Sequence, residues 1–211
     1  MIRAVFFDVG GTLIHPWPSV GAVYARVGEK FDIHASAETM EQAFRSAWKE
    51  CKRGALTTSD KEWWQALVHR AVPGARAGYF EALYEEFGQA DAWRICPGVI
   101  DTLTECHSLK LHVGVISNWD ERLRPLLERL DLSRYLDSLT ISCEVGAEKP
   151  ASAIFQAALR AAGTQAGEAL HVGDSEAEDV RGAEAVGMNA QLVREDWAAV
   201  RDRITSLAVC A

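Results

Sequence analysis

The 211-residue chain is 48% apolar and 25% charged, a globular balance that excludes disorder and collagen-like repeats. With 22 Lys and Arg against 30 Asp and Glu the net charge is −8, so neither nucleic acid nor an anionic membrane is expected as a partner, and an anionic substrate needs local donors or a bound cation. No apolar run approaches the ~20 residues of a membrane helix, the opening MIRAVFFDVGGT is broken too early for a signal peptide, and the five cysteines lack a Cys-x-x-Cys pair, which reads as reduced thiols of a cytoplasmic protein without structural zinc.

Residues 3–7 (RAVFF) form an apolar run ended by Asp8 and Gly10-Gly11-Thr12, which predicts a buried strand and a tight turn. From Trp17 to about Ala92 the periodicity is helical. Pro18 suits the first turn of a helix through SVGAVYARVGEKF, Ser36 opens a second, a Ser59–Glu62 capping box opens a third, and a fourth covers 75–88 after Pro73-Gly74. From Arg94 helix and strand alternate: a helix after Pro97-Gly98, a strand at 111–117, a helix at 120–130, a strand at 138–142, a helix at 150–163, a strand at 169–174, a helix at 177–187, a strand at 189–193 and a helix at 197–208. That alternation implies right-handed βαβ units and a parallel sheet. The expected organisation is an α/β core of 1–15 and 93–211 with an all-helical domain, 16–92, inserted after the first strand.

Ligands of open parallel sheets bind outside the carboxyl ends of the strands, so the residues there are informative. The first strand ends in Asp8, the second in Ser117-Asn118; Lys149-Pro150 follows the third, and the fourth ends in Gly173-Asp174 with Asp179 five residues on. A hydroxyl, an ammonium and carboxylates at one rim suit a metal-bound anion. Asp8 and Asp174 offer Mg²⁺ hard oxygens. Lys149 holds Asp8 ionised, Ser117 and the backbone N–H groups after the first strand bind phosphate oxygens, and an ionised Asp8 attacks phosphorus.

In this order these residues resemble the haloacid dehalogenase superfamily of hydrolases: AVFFDVGGTLI (4–14), VISN (115–118), Lys149-Pro150 and HVGDSEAEDVRGAEAVGM (171–188) match its four motifs, and the helical block stands where that family inserts a cap. The resemblance covers the whole chain and implies a Rossmann-like core, a mobile helical cap and Mg²⁺-dependent phosphate-ester hydrolysis, here of a small phosphorylated metabolite. It makes Asp8 the nucleophile and a metal ligand, with the Gly10 carbonyl, Asp174 and Asp179 completing the metal set. Gly11, Thr12, Ser117, Asn118, Trp119 and Lys149 then bind substrate and phosphate, Lys149 with a catalytic role as well.

One departure matters. Where phosphatases of that family usually carry an acid/base Asp, two positions after the nucleophile, this chain has Gly10. The proton donor is lost, so breakdown of an aspartyl-phosphate is expected to be slow. Three alternatives stay open: a weak or inactive member that binds a ligand or a protein, a metal-independent 2-haloacid dehalogenase, and a phosphonate-cleaving relative using a Schiff base on Lys30, Lys49, Lys52 or Lys61. His15, at the junction of core and insertion, is a candidate substitute acid, Trp119 lines a pocket, and His171 reads as a core residue.

Overall fold

The computed structural model describes residues 1–51 and 60–209. Ser59, Lys52 and Cys210, and with Ser59 the expected capping box, lie outside the described residues. In chain order the strands are β1 (Ala4–Phe7), β2 (Ile14–Pro16), β3 (Trp93–Ile95), β4 (His112–Ser117), β5 (Ser138–Ile141), β6 (Ala169–Gly173) and β7 (Asn189–Leu192). The helices are α1 (Val20–Glu29), α2 (Ala37–Glu50), α3 (Asp60–Ala71), α4 (Tyr79–Glu86), α5 (Val99–Ser108), α6 (Leu123–Arg129), α7 (Ser142–Val145), α8 (Ser152–Ala162), α9 (Arg181–Ala185) and α10 (Trp197–Val209). Among the described residues no helix is long and apolar enough to cross a membrane.

The chain divides into two compact units, Met1–His15 with Ile95–Ala211, and Pro16–Arg94. The first is built on a five-stranded parallel sheet in the order β5-β4-β1-β6-β7. β1 lies at its centre, and all four of its residues are buried, as a strand covered on both faces requires. Phe6 and Ile116 of the sheet pack with Ile154, Phe155 and Ala158 of α8 into one apolar layer. In the second unit the buried rings of Tyr24 and Tyr79 meet edge to face, and the Tyr79 hydroxyl donates to the Tyr24 carbonyl at 3.0 Å. That bond satisfies the only polar atom of the Tyr79 side chain in apolar surroundings.

Three expectations need correcting. Pro18 does not sit in the first turn of α1: Ser19 caps the helix, its hydroxyl accepting the Ala22 N–H at 3.1 Å, so Pro18 precedes the cap. The strand placed at 138–142 stops at Ile141, because Ser142 opens the four-residue α7 and turns its hydroxyl to the Trp119 backbone. The regular helix placed at 177–187 is a π-helical turn, Glu176–Val180, followed by α9. The Val180 N–H reaches back five residues to the Ser175 carbonyl at 3.2 Å, and the widened turn carries Asp179 into the sheet rim.

Candidate active site

The ladder between β1 and β6 continues one residue past β1, the Asp8 N–H donating to the Val172 carbonyl at 2.9 Å, so Asp8 is fixed at the carboxyl end of the central strand. The chain then turns: Ile14 N–H donates to Val9 O at 3.0 Å and Gly11 N–H to Ile14 O at 2.8 Å. Gly11 takes φ +80, and a Cβ there would stand 2.5 Å from Asp174 Oδ2, so the turn admits only glycine where it passes that carboxylate.

Asp8 Oδ1 accepts Lys149 Nζ at 2.6 Å and the Ser117 hydroxyl at 3.0 Å. Lys149 Nζ donates also to Asp179 Oδ1 at 2.6 Å. The same Asp179 oxygen meets His171 Nε2 at 2.9 Å, and its Oδ2 accepts the Ser175 N–H at 2.9 Å. Room for this carboxylate comes from Gly173, where a Cβ would fall 2.2 Å from Asp179 Cγ. Four side chains thus form a buried relay, His171 to Asp179 to Lys149 to Asp8. Among the described residues nothing donates to Asp8 Oδ2, and the Asp174 carboxylate has no side-chain partner.

Charge follows from this wiring. Lys149 is 4% exposed; burial alone would lower its pKa, but the carboxylates of Asp8 and Asp179 hold it above the usual lysine value. Burial alone would likewise raise Asp179, yet the His171 hydrogen bond and the Lys149 charge keep it well below the carboxylate range. Asp174 is raised to about 6, by partial desolvation and then by the charges of Asp8 and Asp179. His171 is held below its ordinary value by desolvation, so it is neutral, with its proton on the Nε2 that faces Asp179. Its Nδ1 is buried with no partner among the described residues, an arrangement that costs about 1–3 kcal/mol.

The phosphate-binding roles expected of this rim divide. The N–H groups of Gly11 and Thr12 are taken by the turn, the latter donating to Val9 O at 3.3 Å. The N–H groups of Val9, Gly10 and Asn118 have no partner among the described residues and are available to an anion. Thr12 keeps a buried hydroxyl without a partner among the described residues. Asn118 aims the lysine instead, its side chain accepting the Lys149 N–H at 2.7 Å and donating to the Lys149 carbonyl at 3.0 Å. Trp119 is half-buried, and its backbone is held on both sides by the Ser142 hydroxyl, at 3.0 and 3.1 Å. Its indole lies over Gly10, with Cζ3 3.1 Å from where a Cβ would stand.

His15 Nδ1 lies 3.5 Å from Cys96 Sγ, and burial and the Asp174 charge push that thiol up to about 11. Lys30, Lys49 and Lys61 are exposed, and Lys61 stands 5.0 Å over the Tyr84 ring. Two members of the site escape a reading of the residues alone. His171 reads as part of the core, although a lone polar residue in ALHVG, two positions before Gly173, is an available signal. Ser142 gives no signal at all, since only the fold brings it to Trp119.

The Asp8, Asp174 and Asp179 carboxylates each offer an oxygen, and these three oxygens lie within 4.8 Å of one another. Against them stands one ammonium, so the group carries −3 + 1 = −2. Hard oxygens with an excess of two negative charges match the donor set of a divalent cation such as Mg²⁺. A parallel α/β sheet with a buried Asp–Lys pair and an acidic group at its carboxyl rim defines a hydrolase built on a Rossmann-like core. Residues 2–187 match the family model described as haloacid dehalogenase-like hydrolase, and the chain belongs to that family. It is 33% identical over 219 residues to mouse haloacid dehalogenase-like hydrolase domain-containing protein 3, covering 96% of this chain and 87% of that one. It is 29% identical to a ribulose-1,5-bisphosphate 5-phosphatase of Halopiger xanaduensis, covering 91% and 84%. The crystal structure of a phosphatase of this family from Thermococcus onnurineus superposes with a TM-score of 0.68 at 25% identity, covering 92% and 87%.

Proposed function

We propose that this hydrolase is a Mg²⁺-dependent phosphohydrolase acting on a small phosphorylated metabolite in the cytoplasm through an aspartyl-phosphate on Asp8, with Pro16–Arg94 as its cap. The observation that carries this reading is the uncompensated acidic group: the Asp8 and Asp174 carboxylates lie together, neither Asp8 Oδ2 nor Asp174 has a side-chain donor among the described residues, and the rim is left with two excess negative charges. A halide leaving group, itself an anion, would be repelled by that excess. The phosphatases among the relatives support the same chemistry.

Asp8, Asp174 and the Gly10 carbonyl would hold the cation, with Asp179 behind them keeping Lys149 in place. A bound Mg²⁺ would offset the charge of the phosphoryl oxygens. The free N–H groups of Val9, Gly10 and Asn118 orient those oxygens, and Lys149 and Ser117 hold Asp8 by Oδ1, leaving Oδ2 for the substrate. Oδ2 forms a bond to phosphorus as the bond to the leaving oxygen breaks; the leaving oxygen keeps the electron pair and takes a proton from water. A second water then attacks phosphorus, releasing inorganic phosphate and restoring the carboxylate.

The test is hydrolysis of an aryl phosphate with Mg²⁺ and with chelator. Activity only with the metal is expected; halide release from a 2-haloacid without metal, or no turnover of any phosphate, sinks the reading. Asp174→Asn is expected to raise the Mg²⁺ concentration for half-maximal rate by about tenfold or more, and to remove the rise in unfolding temperature that Mg²⁺ gives the unaltered chain. An unchanged titration would place the metal elsewhere.

Gly10→Asp alone is expected to bring no gain in steady-state rate, because its Cβ meets the Trp119 ring at 3.1 Å and the Trp119 backbone is held by Ser142. Combined with Trp119→Ala the new carboxylate has room to donate a proton, and the rate with an alkyl phosphate is expected to rise about tenfold or more over that of Trp119→Ala. Equal rates for the two would mean that proton transfer is already supplied.

A further inference from the structure

His171 sits on β6, facing an apolar layer, with the Phe155 ring packed edge-on against it at 5.5 Å. An aliphatic side chain would suit that surrounding better. The imidazole leaves Nδ1 buried without a partner among the described residues, and only its other nitrogen makes a bond, to Asp179. Asp179 is otherwise held through one backbone N–H, on the π-helical turn, and its Oδ1 is the oxygen that Lys149 grips.

We infer that His171 is a positioning residue: its Nε2–H fixes the Asp179 carboxylate in the rotamer that sets Lys149 Nζ against Asp8, and so it governs the aim of the nucleophile from three side chains away. The two bonds to Asp179 Oδ1, at 2.9 Å from His171 and 2.6 Å from Lys149, come from opposite partners and leave the carboxylate one orientation. Without the first, Asp179 keeps only the Ser175 N–H and Lys149 as anchors, so its carboxylate can pivot on the Ser175 bond and draw Lys149 away from Asp8. This inference rests on the proposed phosphohydrolase reading for its effect on rate, though not for its geometry.

Three variants separate positioning from packing. In His171→Gln the side-chain amide nitrogen stands where Nε2 stood and donates to Asp179. In His171→Asn it stands where Nδ1 stood and does not reach. His171→Leu fills the space without a donor. Expected is a kcat for His171→Gln close to that of the unaltered chain, a fall of about tenfold or more for His171→Asn and His171→Leu, and an unfolding temperature for His171→Leu that holds or rises while its activity drops. Crystal structures of the three are expected to keep the 2.6 Å contact between Lys149 and Asp8 in His171→Gln alone. A fully active His171→Leu, or a loss in all three that tracks falling stability, would overturn the inference. If the unaltered chain hydrolyses no phosphate, the functional reading fails, and the Lys149 position in those crystals still decides the role of His171.

Discussion

Asp8→Asn is expected to abolish turnover and leave the fold standing. The amide oxygen still accepts from Ser117 and Lys149, whose bonds to Asp8 Oδ1 are 3.0 and 2.6 Å, so the local wiring survives. What disappears is the charge and the lone-pair reactivity of Oδ2, the one oxygen of the residue that no donor occupies among the described residues. A neutral amide does not attack phosphorus, and no neighbouring group replaces it: Asp174 is committed to the cation in the proposed reading, Asp179 has both oxygens engaged, and the Cys96 thiol, pushed up to about 11, stays protonated near neutral pH. The measurement is twofold. Steady-state hydrolysis of an aryl phosphate reports turnover, and acid quenching during turnover reports covalently held phosphate, expected in the unaltered chain and absent in the variant. A variant that still turns over would remove Asp8 as nucleophile. Lost turnover together with a lowered unfolding temperature would point instead to a structural role.

The sheet and the residues along its rim were legible because a strand buried on both faces reads as an apolar run, and a run that stops at a polar residue marks its own carboxyl end. Asp8 after AVFF, Ser117 after HVGVI and Asp174 after ALHVG follow from that rule alone. The details that tune the rim were not legible, because each depends on a long-range approach. Trp119 covers Gly10 from 109 positions away, and its own spacing carries no hint of the partner. The π-helical turn was hidden for another reason. AEDVRGAEAVG has ordinary helical composition, and it widens only because Asp179 bonds outward to Lys149, His171 and the Ser175 N–H. Likewise DVGGT announces a turn without saying which N–H groups the turn uses: Gly11 and Thr12 close it, while Val9 and Gly10 remain available to an anion.

Lys149→Met is expected to lower stability by about 3–5 kcal/mol, as loss of one partner from a buried ion cluster does. Methionine matches the length of the stem but leaves Asp8, 7% exposed, and Asp179, 1% exposed, facing each other without the cation between them. Asp174 adds a third carboxylate within the same 4.8 Å group and so adds to that repulsion. For a chain of this length the unfolding temperature is expected to fall by roughly 6–20 °C. Turnover is expected to vanish with it, since the ammonium also aims Asp8. The two effects separate in Lys149→Met/Asp179→Asn. Removing the second buried charge relieves the repulsion, so the double variant is expected to be more stable than Lys149→Met and no more active. Thermal unfolding without added metal gives the first comparison, and aryl phosphate hydrolysis with Mg²⁺ gives the second. If the double variant is no more stable than the single, charge is not what Lys149 contributes to the fold. If it regains turnover, Lys149 acts only by offsetting Asp179 and has no part at the nucleophile.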